Sequence, residues 1–337
     1  MELDDFLAEW NNSDERVLVH TSGSTGQPKP MWVEKKRMFD SASITCNFLG
    51  LKPGDTALLC MPLDYIAGKM MVVRSIERNL RLISVKPSNH PLKDVNGPLT
   101  FAAMVPSQVY CSLQVPEERE KLLNIRHLII GGGAISNELQ QAITILSTSP
   151  WGRLGEAFCI WSTYGMTETL SHIALRRLNG PDASEWYTPF DSVHVSLNAD
   201  NCLVIDAPLV HDGPLVTNDI ADIRPDGSFR IIGRKDNVIC SGGIKLQIED
   251  IEEKLRPYIH VPFCITKCPD EKFGEIAVLL IENGEGDIND AIFSHLSKYE
   301  VPKRIITVDN IPMTETGKIS RKEAHNIAIA SGTNRRS

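Results

Sequence analysis

Short apolar runs alternate with longer amphipathic stretches over the first 150 residues. Runs bounded by polar residues predict buried strands, at 17–20, 56–61, 80–85, 100–104 and 127–130. The stretches between them carry apolar side chains at helical spacing and predict helices, at 35–48, 66–76, 107–113 and 137–147. Strands that alternate with helices favour a mostly parallel sheet covered on both faces, so the predicted fold class is α/β.

The pattern changes after residue 187. Short runs separated by turn residues predict a small antiparallel β region, with strands at 193–197, 202–205, 220–224 and 229–232. Pro225-Asp226-Gly227 lies between the last two and is typical of a hairpin turn. After Gly233 the alternation resumes, with helices at 248–258, 287–299 and 320–330 and a strand at 276–281. We therefore predict two domains, 1–235 and 236–337, of which the second is a small α+β domain.

Composition narrows the classes of protein. Hydrophobic residues make up 42% and charged residues 23%, which excludes a globally disordered chain. The net charge of −8 argues against a dedicated nucleic-acid or anionic-membrane binder. The uncharged stretch 97–116 contains three prolines and does not predict a membrane span, and the acidic N-terminus is unlike a signal peptide. These features predict a cytoplasmic protein without stable membrane insertion.

The spacing of the cysteines does not indicate a metal centre. Cys264 and Cys268 form the one close pair, and neither a second pair nor a histidine follows at the spacing of a zinc site. Buried thiols in a reducing compartment are the favoured interpretation.

A glycine- and hydroxyl-rich segment follows the first apolar run. Residues 21–29 read T-S-G-S-T-G-Q-P-K. Glycines permit a close backbone approach, hydroxyls and amides donate to phosphate oxygens, and Lys29 adds positive charge. The order differs from the G-x-x-x-x-G-K-[ST] loop, because Lys29 falls three residues after the second glycine. By composition alone the segment could equally be a surface loop.

The order of these residues resembles the phosphate loop of the adenylate-forming superfamily, which contains acyl-CoA synthetases, luciferases and peptide-synthetase adenylation domains. Four further segments fit in order and spacing, so that the resemblance covers residues 17–325. It implies an acyl-adenylate-forming fold with a large N-terminal lobe, a small mobile C-terminal domain, Mg²⁺ as cofactor, and ATP and CoA as co-substrates. The implied phosphate-binding residues are Thr21, Ser22, Gly23, Ser24, Thr25, Gly26 and Lys29.

The nucleotide residues implied by the resemblance begin with Tyr164-Gly-Met-Thr-Glu168. Tyr164 would pack against adenine, Thr167 would contact the α-phosphate, and Glu168 would hold Mg²⁺. An aromatic face suits a base and a carboxylate suits magnesium. As isolated residues, the tyrosine would be a core aromatic and the glutamate a solvated acid.

Two further segments complete the implied nucleotide site. Gly132 and Gly133, in Gly131-Gly-Gly-Ala134, would bring backbone against adenine and the acyl group; a glycine corner between strand and helix is the alternative. Asp219, in Thr217-Asn-Asp219, would accept hydrogen bonds from the ribose hydroxyls, although Asn218 replaces the usual glycine.

The resemblance also assigns residues to domain rotation and to the second half-reaction. Arg234 would contact ribose and phosphate, and Asp236 would be the hinge of the small domain. Lys318 fits the mobile catalytic lysine, which compensates charge as a carboxylate attacks the α-phosphate. Gly242 and Gly243 would line the tunnel for the pantetheine arm of CoA, with a simple tight turn as the alternative.

The acyl pocket is assigned to two segments. Residues 61–74 resemble the family's P-L-F-H-x-S-G segment, with Tyr65 where histidine is usual. Arg74 matches a basic residue that serves a second carboxylate in the o-succinylbenzoate–CoA ligases of menaquinone biosynthesis, a task that suits a guanidinium; an arginine at a helix end is the alternative. Thr169 and Ser171 could donate hydrogen bonds to an aromatic diacid or act as a structural cap, and His172 is interpreted as a packed or surface histidine.

The resemblance implies an AMP-forming acid–thiol ligase that activates o-succinylbenzoate and passes the acyl group to CoA. Another small aryl or carboxylic acid–CoA ligase, a carrier-protein acyl ligase, and a nucleotide-binding pseudoenzyme are the alternatives. Superfamily members commonly carry a further subdomain before the phosphate loop, which here begins at residue 21. The resemblance therefore implies a truncated large lobe, whose exposed flank a second copy would cover in a homodimer.

Overall fold

A computed structural model describes residues 1–20, 30–133, 135–148, 158–282, 290–314 and 319–331. The helices within these ranges are α1 (Leu3–Asn11), α2 (Lys35–Phe48), α3 (Ile66–Arg78), α4 (Pro106–Gln114), α5 (Pro116–Leu123), α6 (Asn137–Thr148), α7 (Ile248–Leu255) and α8 (Arg321–Ala330). The strands are β1 (Arg16–His20), β2 (Pro30–Glu34), β3 (Thr56–Leu59), β4 (Arg81–Ser84), β5 (Phe101–Met104), β6 (His127–Ile130), β7 (Cys159–Gly165), β8 (His172–Arg177), β9 (Thr188–Pro189), β10 (His194–Leu197), β11 (Cys202–Asp206), β12 (Leu215–Ile223), β13 (Phe229–Arg234), β14 (Val238–Ser241), β15 (Ile244–Gln247), β16 (Phe263–Asp270), β17 (Gly274–Glu282) and β18 (Arg304–Val308).

The largest sheet has the strand order β4-β3-β5-β6-β7-β8-β9. The first five strands in that order are parallel, and β8 and β9 add antiparallel at one edge. The prediction of a mostly parallel α/β sheet is confirmed.

Both faces of this sheet are buried, as the apolar runs predicted. Along β3 and just beyond it, Ala57 and Leu59 enter a core shared with α2 and α3, whereas Leu58 and Cys60 enter a second core against α4, α5 and α6. Successive side chains of a strand point to opposite faces, so a run that is buried on both sides reads as continuously apolar.

The predicted antiparallel region is a four-stranded sheet with the order β10-β11-β12-β13. The turn at Pro225-Asp226-Gly227 joins β12 to β13, with Gly227 at φ +83°. Phe229 and Leu203 of this sheet join the core of the large sheet, so that the antiparallel region packs against it.

A third sheet, β15-β14-β17-β16 with β18 parallel to β17, follows residue 237. One of its faces packs on α7 and the other on α8, and neither core shares a member with the cores of the first 235 residues. The prediction of buried thiols is confirmed for Cys264 and Cys268, which lie on β16.

One predicted helix is wrong. Within 287–299 the described residues form a short 3₁₀ segment, Asp290–His295, followed by turns. Phe293 and Leu296 lie in the core and Ile292 packs against it, but this short apolar stripe does not hold a longer helix against the sheet.

The pattern analysis also did not predict α1. This helix is held by Lys69, whose Nζ lies 3.2 Å from Glu9 Oε2, donates to Leu18 O at 2.7 Å, and lies 5.1 Å from the centre of the Phe6 ring. The contact fixes the helix beside β1, which leads into the glycine-rich segment. None of the described helices combines the length and the apolar character that crossing a membrane requires.

Candidate functional site

A cavity of about 270 Å³ lies beyond the carboxyl ends of β3, β5, β6 and β7. Ligands of open α/β sheets bind at this edge, because the loops that leave the strands diverge there. Most of the lining side chains are apolar, and the polar ones include Arg74, Ser171 and His172.

The glycine corner after β6 forms one wall. A Cβ on Gly131 would lie 2.4 Å from Thr163 Oγ1, and Gly132 has φ +78° with Val105 Cγ1 3.3 Å from a built Cβ. Gly131 and Gly132 line the cavity, whereas Gly133 is exposed beside Pro106. The corner therefore needs glycine for packing reasons as well as for access by a ligand.

Tyr164 and Asp219 are joined directly. The Tyr164 hydroxyl donates to Asp219 Oδ2 at 2.6 Å, and the ring packs edge-on against Phe229 with centroids 5.1 Å apart. Burial and the Asp219 charge raise the pKa of Tyr164 far above its ordinary value, so the phenol remains a donor. Arg234 Nη1 lies 3.5 Å from Asp219 Oδ1. Three residues implied for the nucleotide thus form one polar cluster.

Thr167 and Glu168 lie on a 3₁₀ turn, Thr167–Thr169, directly after β7. Thr167 is buried and lines the cavity, whereas Glu168 is exposed. Within the described ranges, no three His, Cys, Asp or Glu side chains come together as a metal site. Magnesium in nucleotide enzymes is held by one or two carboxylates plus phosphates and water, so one exposed carboxylate fits that role.

Arg74 is the most buried cation of the site. It is 2% exposed on α3, lines the cavity, and donates to Ser171 Oγ at 2.5 Å. Its Nη1 meets only the Met71 sulfur, at 3.9 Å, and its Nε has no partner in the described part of the chain. Burial lowers the pKa of Arg74 to about 10, which leaves it cationic at neutral pH.

Ser171 and Thr169 have different surroundings. Ser171 lines the cavity and contacts both Arg74 and His172 Nδ1, the latter at 3.2 Å. Thr169 is fully buried outside the lining, and its hydroxyl contacts Met166 N, Met166 O and Ser171 O. These contacts match a structural cap, which is one of the two roles that the sequence left possible for Thr169.

His172, which the sequence left as either a packed or a surface histidine, is buried and also lines the cavity. Its Nε2 lies 3.1 Å from Thr45 Oγ1 on α2. Sequence reasoning did not assign Thr45, because 127 residues separate it from His172 and no motif links them. His20, at the end of β1, is a further lining residue that was not predicted from the sequence.

Tyr65 lies at the start of α3 and lines the cavity, as its place in the acyl-pocket segment implied. The neighbouring Asp64 points away from it and pairs with the amino group of Met1 at 3.2 Å.

The segment implied as a hinge is a 3₁₀ turn, Lys235–Asn237, between β13 and β14. Asp236 Oδ2 accepts from Arg234 Nη2 at 3.1 Å and from Asn218 Nδ2 at 3.2 Å. Across the turn, Gln247 Nε2 donates to Arg234 O at 3.0 Å. These few polar contacts link the strand that carries Arg234 to the third sheet.

Gly242 and Gly243 form the two-residue turn of the β14–β15 hairpin, at φ +57° and +84°. Two consecutive positive φ values match the tight turns that hairpins prefer. No heavy atom lies within 4 Å of a Cβ built on Gly243, so the turn itself does not crowd that position.

Two predicted groups lie outside the described residues: the phosphate-loop residues within 21–29, and Lys318. On either side of the first, β1 and β2 pair antiparallel, with His20 opposite Pro30. On either side of the second, Met313 bridges Ile319, and Ser320 N donates to Pro312 O at 2.8 Å.

The fold, a mostly parallel sheet with a cavity at its carboxyl edge, is similar to that of a solved acyl-CoA synthetase-like protein. The chain belongs to the AMP-binding enzyme family, whose family model matches residues 5–207. A solved acyl-CoA synthetase (AMP-forming)/AMP-acid ligase II-like protein from Dyadobacter fermentans is 33% identical, with a TM-score of 0.63 over 95% of this chain and 91% of its own.

More distant relatives carry a more specific name. The 2-succinylbenzoate–CoA ligase of a Geobacillus species is 24% identical over 95% of this chain and 70% of its own length, and that of Listeria monocytogenes is 25% identical over 95% and 72%. The Bacillus subtilis o-succinylbenzoate–CoA synthetase, solved with its acyl-adenylate intermediate, has a TM-score of 0.74 at 20% identity, covering 95% of this chain and 69% of its own.

Proposed function

We propose that this protein is an ATP-dependent, AMP-forming acyl-CoA ligase and that its acid is o-succinylbenzoate. In the first half-reaction the aliphatic carboxylate attacks the α-phosphorus of ATP, giving acyl-AMP and pyrophosphate. In the second, the CoA thiol attacks the acyl carbon, giving the thioester and AMP. The domain division near Asp236, the hinge and the CoA path are part of this proposal.

The observation that carries the choice of acid is Arg74. A buried guanidinium without an acidic partner among the described residues is costly, and an anionic ligand would compensate that cost. The cavity that Arg74 lines is otherwise mostly apolar, which suits an aromatic ring that ends in a second carboxylate. At about 270 Å³ the cavity also favours a compact acid over a long acyl chain.

The nucleotide half of the site follows from the polar cluster around Asp219. Its carboxylate, oriented by Tyr164 and Arg234, suits the ribose hydroxyls. The exposed Glu168 would hold Mg²⁺, which neutralises phosphate charge when bound. Lys318 would compensate the charge that develops on the α-phosphate, a role that rests on its motif.

Another small aryl acid–CoA ligase is the second candidate, because the apolar part of the cavity would hold any compact ring. A panel of acids separates the two. Pyrophosphate release is measured with Mg²⁺-ATP and without CoA for o-succinylbenzoate and benzoate, and thioester formation is measured after CoA is added. The proposal predicts release with o-succinylbenzoate well above that with benzoate, and its loss in Lys318→Ala.

Arg74→Met tests the diacid assignment. Removing a charged hydrogen bond to carboxylate should raise the KM for o-succinylbenzoate about ten- to a hundredfold, with a smaller effect on the KM for ATP. Arg78→Met, one turn further along α3 and outside the cavity lining, is the matched control. An unchanged KM in Arg74→Met would contradict the diacid pocket, and no acid-dependent pyrophosphate release in the unmodified protein would contradict the ligase.

A further inference from the structure

A chain of hydrogen-bonded side chains runs behind Arg74, from the cavity to α2. Arg74 Nη2 lies 2.5 Å from Ser171 Oγ, which lies 3.2 Å from His172 Nδ1. His172 Nε2 lies 3.1 Å from Thr45 Oγ1, which lies 3.2 Å from Ser41 O. Ser41, Thr45 and Arg74 are each at most 3% exposed and His172 is 8% exposed, so water competes little for the contacts from His172 through Thr45 to Ser41. Ser171 is half-buried at the cavity.

Both ends of the chain fix the direction of every hydrogen bond in it. A guanidinium only donates, so Ser171 Oγ accepts from Arg74. At the other end a carbonyl only accepts, so Thr45 uses its proton on Ser41 O and must accept from His172 Nε2. Burial, followed by the Arg74 charge, lowers the pKa of His172, so the ring is neutral. A neutral ring that is protonated on Nε2 has Nδ1 free as an acceptor, and Ser171 donates to it.

We propose that His172 and Thr45 are positioning residues for Arg74, and that the fixed polarity of this chain makes the end of the acyl cavity select an anion. The inference rests on the proposed function and deepens it. With its hydroxyl proton held by His172, Ser171 offers only a lone pair toward Arg74. The guanidinium is therefore held while its Nε–H has no acceptor among the described residues, and a carboxylate, which only accepts, fits this end better than a neutral donor-bearing group.

The test changes whether the side chain at position 172 can accept a hydrogen bond from Ser171. His172→Asn places a carbonyl oxygen near the position of Nδ1 and can still accept from Ser171, whereas His172→Leu cannot. The ratio of kcat/KM for o-succinylbenzoate to that for benzoate removes effects of cavity shape common to both acids. We expect His172→Leu to lower this ratio about tenfold, mainly through the KM for the diacid, and His172→Asn to keep it within about threefold of the unmodified protein.

A residue that only fills space would give the same ratio in both variants, and that result would overturn the proposal. Ser75→Ala is the matched control for a lost buried hydroxyl, because Ser75 Oγ bonds Met71 O within α3, as Thr45 bonds Ser41 within α2, but does not line the cavity. The ratio in Ser75→Ala should equal that of the unmodified protein.

Nitrogen chemical shifts of histidine-labelled protein test the polarity directly, with the His172 signals assigned by their loss in His172→Asn. At pH 7.5 we expect Nδ1 unprotonated and Nε2 protonated, and Thr45→Val should shift the ring toward the other tautomer. A protonated Nδ1 in the unmodified protein would overturn the proposed hydrogen-bond directions. An unmodified enzyme that does not discriminate between the two acids would instead contradict the proposed function. The tautomer of His172 would still test the hydrogen-bond directions between Arg74 and Thr45.

Discussion

The hydroxyl of Tyr164 donates to the carboxylate of Asp219 across 55 residues of sequence. Tyr164 lies on β7 of the large sheet and Asp219 on β12 of the antiparallel sheet, so the bond joins the two sheets. Arg234 reaches the other carboxylate oxygen from the neighbouring strand. The resemblance assigns adenine packing to Tyr164 and ribose binding to Asp219. These two roles would therefore be coupled through the Asp219 carboxylate.

Tyr164→Phe tests this coupling. It removes the hydroxyl but keeps the ring on Phe229, so that Asp219 loses a donor worth about 1.5–3 kcal/mol. We expect the KM for ATP to rise about tenfold, measured by pyrophosphate release. Tyr187→Phe is the matched control, since its hydroxyl contacts Ser162 and its ring also packs on Phe229. Equal effects of the two substitutions would contradict a specific role for the Tyr164–Asp219 bond.

The fold was predictable where burial is two-sided. The continuous apolar runs of β3, β5 and β6 are unambiguous, because both faces of a parallel sheet are covered. Residues 159–165 and 172–177 were not predicted as strands, since half-buried polar side chains interrupt their pattern. The helix over 287–299 was predicted wrongly, because only a short part of its apolar pattern, around Phe293 and Leu296, packs into the core.

The site was predictable where a motif carries it. Tyr164, Asp219 and Arg74 were each identified from short sequence patterns, although their bonding partners were not. The chain from Arg74 to Thr45 depends on how β8 packs against α2, and no local pattern contains that information. Buried polar partners are set by tertiary packing, which explains why the sequence left His172 as either a packed or a surface histidine.

The hairpin turn at Gly243 gives a test of the proposed CoA path. Gly243→Asn should fold, because asparagine tolerates positive φ and no atom lies within 4 Å of a Cβ there. If the pantetheine arm passes this turn, thioester formation should slow more than tenfold, while pyrophosphate release measured before CoA is added continues. Gly227→Asn, at φ +83° in the β12–β13 turn and equally open, is the control. Similar thioester rates in both variants would favour a simple tight turn.

An ion pair between the half-buried Arg321 and the buried Glu252 lies at the start of α8, three residues after Lys318. Arg321 Nη1 and Nη2 lie 2.5 and 2.7 Å from the two oxygens of Glu252, which also accepts from Ile265 N. Burial alone would lower the pKa of Arg321, but hydrogen bonds and the charge of Glu252 raise it. The pair therefore stabilises both charges, and removing one would leave the other buried.

Arg321→Met should reduce the free energy of unfolding by about 3–5 kcal/mol, and adding Glu252→Leu should restore much of it. Urea titrations followed by circular dichroism measure both effects. Lys254→Met, which breaks more exposed pairs with Asp250 and Glu300, should cost at most about 1 kcal/mol. If the chain divides into two domains near Asp236, the urea titration should show two unfolding transitions, and Arg321→Met should shift only one of them. A single transition that shifts as a whole would contradict that division.

Acid should destabilise the fold through buried neutral histidines. Burial, followed by Arg126 and Arg177, lowers the pKa of His127 to about 4, and both its ring nitrogens lack partners in the described part of the chain. The unfolded chain takes up a proton near pH 6.5, whereas the folded protein does so only near pH 4. This histidine therefore lowers the free energy of unfolding as pH falls from about 6.5 to 4, with no further loss below that range.

Paired urea titrations at pH 7.5, 6.0, 5.0 and 4.5 isolate this effect from that of the carboxylates, which titrate in every variant. In His127→Leu the loss of stability between pH 7.5 and 4.5 should be smaller than in the unmodified protein, because no proton uptake by residue 127 remains in the unfolded state. His260→Gln, at an exposed position, should follow the unmodified protein. Parallel pH curves for His127→Leu and the unmodified protein would mean that His127 titrates alike in both states, and its burial would then not oppose protonation.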